Sequence, residues 1–95
     1  MKNKTRKFDV SKYLDNPEAI KEYLEIMLEE NGVEGFQRAL GHVAKAYGMT
    51  EIAKKANVGR ESLYKSLSET GKPRLDTISN VLKVLGLQLS IKNPV

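Results

Sequence analysis

Residues 49–68 read MTEIAKKANVGRESLYKSLS. The stretch holds two short helical patterns separated by a tight turn. Thr50 caps a helix that runs through Ala56, Asn57–Gly59 form the turn, and a second helix runs from Arg60 to Ser68. Helices joined by three or four residues cross steeply, so a small residue is needed where they touch, and Ala53 supplies it. The turn needs a residue tolerant of positive φ, and Asn57 can serve, though less freely than glycine. Val58 and Leu63 point inward after the turn, and Ile52, Ala56 and Leu67 complete the inner face.

Upstream, Phe36, Leu40, Val43 and Tyr47 share one face of a helix ended by Gly48. Ala39, Ala44 and Ala46 permit close packing there, and Gly41 costs about 1 kcal/mol relative to alanine unless another helix approaches it. Further upstream, Asp15-Asn16-Pro17-Glu18 starts a helix carrying Ile20, Tyr23, Leu24, Met27 and Leu28 at helical spacing. Asn31-Gly32 is expected to stop it. Downstream, Thr70–Pro73 form a loop, and Leu75, Ile78, Leu82 and Leu85 mark a last helix closed by Gly86. Leu87, Leu89 and Ile91 alternate with Gln88, Ser90 and Lys92, a period of two that predicts a short strand. Pairing with the same strand of a second copy would satisfy its edges, which predicts a homodimer. The expected fold class is thus all-α, a five-helix domain over residues 13–95 with a short C-terminal β-strand.

At 95 residues the chain has room for one modest core, and its hydrophobic fraction of 40% suits a globular fold. Without cysteine it has no disulfide or thiolate metal site, and a reducing cytoplasm fits best. The start MKNKTRKFDV lacks a following apolar run and does not read as a signal peptide; no segment is apolar enough to span a membrane. The net charge of +4 is unevenly spread. Residues 1–12 carry Lys2, Lys4, Arg6, Lys7 and Lys12 against Asp9 and read as a flexible basic arm. Residues 13–35 carry Asp15 and six glutamates against Lys21, whereas residues 36–95 are basic again. This points to two partners of opposite charge, or to two ordinary solvated faces.

The stretch IAKKANVGRESLYKSLS resembles the helix-turn-helix of the lambda-repressor-like family, and RLDTISNVLKVLGL after Pro73 is similar to that family's next helix. LDNPEAIKEYLE, ALGHVAKAYGMTEIAKKANVGRESLYKSLS and KVLGLQLSI together resemble the addiction-module antidote proteins of the HigA-like antitoxin family, over about residues 14–92. Three positions depart from the helix-turn-helix pattern. Asn57 stands for the usual turn glycine, Gly59 for a capping Ser or Thr, and Ser66 for a bulky residue.

The resemblance implies a second helix lying in the major groove of double-stranded DNA at a palindromic operator. The positions it turns outward are Gly59, Arg60, Glu61, Tyr64 and Lys65. Arg60 can fork onto guanine, Glu61 can accept from cytosine, Tyr64 can stack or bond a phosphate, and Lys65 can neutralise one. Ser62 and the free amides at Gly59–Glu61 can also bond phosphate. The resemblance further implies an autorepressing antitoxin that neutralises a small basic RelE/HigB-like toxin. Glu18, Glu22, Glu25 and Glu29 fall within about 60° on a helical wheel and would meet such a partner, although a solvated face also accounts for them. A metal site there has no convergent second element. Two other readings stay open: a prophage-type regulator with no toxin, and a protein-interaction module that does not bind DNA.

His42, the only histidine, has no cysteine or serine set beside it and reads as a packing or surface residue. Tyr13, Tyr23, Phe36 and Tyr47 have apolar neighbours and read as core. No phosphate loop, paired-acid site or triad is present, so neither enzymatic activity nor a cofactor is expected.

Overall fold

The computed structural model describes residues 16–68 and 70–94. The basic arm expected over residues 1–12 lies outside them, as does Tyr13. Among the described residues there are four helices and no strand: α1 (Pro17–Tyr47), α2 (Met49–Ala56), α3 (Arg60–Ser66) and α4 (Leu75–Val84). The expectation of five helices and a C-terminal strand is therefore corrected in two places, while the all-α class stands.

The first correction falls at Asn31-Gly32. Asn16 caps α1, its side-chain oxygen accepting from the Ala19 amide at 3.2 Å, and Pro17 fills the first helical position. Gly32 then takes φ 73°, ψ −167°, far from helical values. Only this one residue departs, and Val33 resumes the helix at once. The chain therefore bends sharply at this glycine, and its two helical arms follow one another without a linker residue, so that they count as the single element α1.

The second correction falls after α4. The Gly86 amide donates to Lys83 O at 3.0 Å and the Leu87 amide to Leu82 O at 2.8 Å, the paired closure of a Schellman motif. Leu87 packs against the core, whereas Leu89 and Ile91 are exposed. The alternation was real, but a strand requires backbone pairing, and residues 87–94 take no strand pairing. With the strand goes the strand-pairing argument for a dimer.

One core joins all four helices. Ile20 and Leu24 come from the first arm of α1, and Ala39, Leu40, Val43 and Ala44 from the second. Met49, Ile52 and Ala53 of α2 meet Leu63 and Leu67 around α3, and Ile78, Val81, Leu82 and Leu85 of α4 and its cap. The short α2 is the hub, packing on α1, α3 and α4. No polar or charged side chain is buried among the described residues, so apolar burial holds the fold at about 1.5–3 kcal/mol per large side chain. Tyr23, Phe36 and Tyr47 pack on this core, as their spacing predicted, and His42 is exposed. Among the described residues no helix is long and apolar enough to cross a membrane.

Gly41 sits where α1 meets the end of α3. A Cβ there would lie 2.8 Å from Leu67 O, closer than a real Cβ tolerates. The absence of a side chain lets the α3 terminus rest on α1.

Candidate nucleic-acid interface

The turn between α2 and α3 is built from Asn57 in the left-handed region, at φ 60° and ψ 45°. The Val58 amide reaches Ala53 O at 3.0 Å and the Asn57 amide reaches Lys54 O at 3.3 Å, which closes α2 and redirects the chain. Gly59 then adopts an extended conformation (φ −69°, ψ 139°) and begins α3 with no side-chain cap. These are the boundaries that the sequence predicts for the turn. Two ends differ: α2 begins at Met49 after Gly48, with no side-chain cap bond, so Thr50 lies in its first turn and does not cap it; and α3 ends at Ser66, with Ser68 Oγ donating to Lys65 O at 2.8 Å.

Leu63 is the only buried residue of α3, 1% exposed, and it fixes which way the helix faces. Arg60, Glu61, Ser62, Tyr64 and Lys65 are all exposed, as is Gly59; by the helical period Glu61 and Lys65 lie opposite Leu63, with Ser62 on one flank and Tyr64 and Arg60 on the other. All six predicted residues are thus exposed to solvent. Arg60 and Tyr64, four apart, are in contact: the guanidinium carbon lies 5.4 Å from the ring centroid. The ring gives the guanidinium a preferred position while its edge stays available to a ligand.

A second aromatic–cation pair joins the end of α1 to α2 and escapes a reading by helical period. Lys55, in the last turn of α2, donates to Tyr47 Oη at 3.2 Å and lies 5.7 Å from that ring's centroid. The hydrogen bond to Tyr47, and then the phenol's proximity, push the Lys55 ammonium above its ordinary range, with Glu51 adding to the same direction. Lys54 stands beside it, exposed. The only sequence sign was a basic pair ending α2. The partner Tyr47 is on α1, so their meeting depends on tertiary packing.

The acidic residues lie elsewhere. Glu18, Glu22, Glu25 and Glu29 are all exposed on the first arm of α1. Lys21 pairs with Glu18 at 3.3 Å, and this bond, reinforced by Glu18, Glu25 and Glu22 charges, raises the lysine above its usual range. Among the described residues no three His, Cys, Asp or Glu side chains converge as a metal site would require.

Over residues 4–93 the sequence matches the family described as probable addiction module antidote protein. It is also similar to an uncharacterized protein of Haemophilus influenzae, 40% identical over 92 residues that cover 97% of this chain and 95% of that one. No solved structure matches it. A helical domain whose paired helices α2 and α3 present a basic surface, matched along nearly its full length, belongs to the probable addiction module antidote family.

Proposed function

We propose that this chain is the antitoxin of a two-protein addiction module, and that it represses its own operon by binding operator DNA through α3. The observation that carries the DNA reading is the α3 surface: Arg60, Glu61, Ser62, Tyr64 and Lys65 exposed around a helix anchored by Leu63. Arg60, stacked on Tyr64, is the group suited to the O6/N7 edge of guanine. Glu61 suits cytosine N4, while Ser62, Lys65 and the backbone at Gly59 suit phosphate. Lys54 and Lys55, exposed on α2, add positive charge to the helix-turn-helix unit.

The family match supports a toxin partner, and the acidic first arm of α1 supports a basic one, of the RelE/HigB-like kind. Glu18, Glu22, Glu25 and Glu29 are the residues proposed to meet it. An antidote acts by binding, so no catalytic group is assigned. Two-fold binding to a palindromic operator calls for half-sites about 10 bp apart, or a multiple of that. Affinity should fall steeply with added salt, since each phosphate contact releases counterions.

Two measurements test the reading. Expressed alone, the protein encoded beside this chain should arrest growth, and co-expression of this chain should restore it. Band-shift titration with the upstream DNA should show a specific complex. Growth that stays arrested removes the antitoxin reading; a specific shift in that case leaves a repressor without a toxin. Absence of any shift at low salt removes the DNA reading.

A further inference from the structure

The bend at Gly32 divides α1 into two helical arms, and both reach the same core. Ile20 and Leu24 come from the first arm, Leu40 and Val43 from the second, and all four are buried. Along a straight helix Ile20 and Leu40 would lie about 30 Å apart. The first arm therefore reaches the core only because the chain turns back within one residue.

Two glycines permit that turn. Gly32 takes φ 73°, ψ −167°, a region open to essentially no residue but glycine. Nothing lies within 4 Å of the place its Cβ would occupy, so the backbone alone excludes a side chain there. Gly35 is needed for a different reason. It is buried, and a Cβ on it would run into the Asn31 side chain and lie 3.1 Å from Met27 O. In a straight helix residues four apart hold their Cβ atoms about 5–6 Å from one another. Both glycines are thus required by the bent form and by nothing in the straight one. Residues 28–34 are all exposed, so the bend itself contributes nothing to the core.

A continuous helix over Pro17–Tyr47 would be about 46 Å long, more than the 38 Å of the molecule's longest axis. Its first arm would project into solvent, with Ile20 and Leu24 uncovered and their places in the core vacant. The surface that complements this stripe already exists: it is the one the arm leaves, and a second copy offers it in identical form. We propose that Gly32 is the hinge of a domain exchange, in which α1 straightens and the first arm of each copy docks in the place vacated in the other. This goes beyond the antitoxin reading and does not rest on it. The exchange is reciprocal, so it closes as a two-fold dimer in which each copy supplies the Ile20 and Leu24 that complete the other's core.

The test compares the full chain with Gly32→Ala and Gly35→Ala. Alanine opposes the bend at either position and favours the straight helix, and each dimer contains two hinges. Sedimentation equilibrium should show each variant dimerising at least about hundredfold more tightly than the wild type, about tenfold per hinge. Helical content by circular dichroism should match the wild type, and the melting temperature should rise with protein concentration. Two further glycines inserted after position 32 of the Gly32→Ala variant lengthen the hinge and should return it to monomer. The exchange itself is read by refolding isotope-labelled and unlabelled copies of Gly32→Ala together. Isotope-filtered spectra should show methyl contacts between Leu24 of one copy and Leu82 of the other, two residues that line one groove within a single copy. Variants that stay monomeric at every concentration, or that lose their helical content, overturn the proposal. So does a dimer without the Leu24–Leu82 contact between copies, because the copies then meet with their first arms in place.

Discussion

Arg60 and Tyr64 lie four residues apart on α3, and their stacking separates two roles that a base contact needs, reach and position. Arg60→Ala should weaken operator binding by about 1–3 kcal/mol and relax preference at one base pair. Tyr64→Phe keeps the ring and should retain that preference, whereas Tyr64→Leu should lose part of it; band shifts on operators varied one base pair at a time distinguish the three. If Tyr64→Leu reads every operator as wild type does, the ring does not position the guanidinium. The exposure of Tyr64 was legible in the sequence, since with Leu63 inside it turns about 100° away, whereas Arg60, about 60° from Leu63, reads outward on its charge alone. Their contact was not, since it depends on side-chain rotamers. Gly41 shows how local a reading can stay correct: a glycine within a helix implied a close neighbour, and Leu67 O is that neighbour. Gly41→Ala would press a Cβ into a backbone carbonyl, and should cost about 1–3 kcal/mol in urea denaturation. An unchanged midpoint would mean that the end of α3 can move away freely.

At the level of elements, the α2–turn–α3 unit followed from local chemistry, because a left-handed residue, a small contact residue and an inward leucine each have few alternatives at their positions. Asn57 holds φ 60° without the help of a missing side chain. Asn57→Ala should therefore destabilise by about 1 kcal/mol, the left-handed cost for an ordinary residue, while Asn57→Gly should stay within a few tenths. Thermal melts of both variants check this, and equal losses would mean that the Asn57 side chain, not its backbone, supports the turn. The two elements read otherwise than they fold each had an ambiguous signal. A glycine can kink a helix as readily as end it, and at Gly32 a single residue absorbs the bend. Three alternating apolar residues imply a strand only if a neighbour exists to pair with, and after α4 the chain places Leu87 on the core and leaves Leu89 and Ile91 at the surface. The Tyr47–Lys55 pair belongs to the same class of feature, arising from how α1 ends beside α2.

Over the whole molecule, stability rests on a core without buried charge among the described residues, so titration acts on it from the periphery. Tyr23 is the phenol to watch. It packs on the core from the first arm of α1, and its partial burial disfavours the phenolate and raises its proton affinity above the ordinary range. The unfolded chain thus loses this proton more readily than the folded one. The resulting contribution is complete below the unfolded value, about pH 10, and is lost as pH rises through the folded one. Lys21 and Lys55 add in the same direction, because each is raised by a partner that it no longer holds once deprotonated. Both are exposed, so their share should shrink in high salt, whereas desolvation of Tyr23 is insensitive to screening. The melting temperature should therefore decline above about pH 10, and Tyr23→Phe should flatten that decline in high salt more than in proportion to any change at neutral pH. Comparing slopes rather than heights separates the phenol's titration from whatever packing or bonding the hydroxyl provides. If the variant and the wild type decline in parallel, the alkaline loss comes from the lysines, and the first arm of α1 is held to the core without help from the neutral phenol.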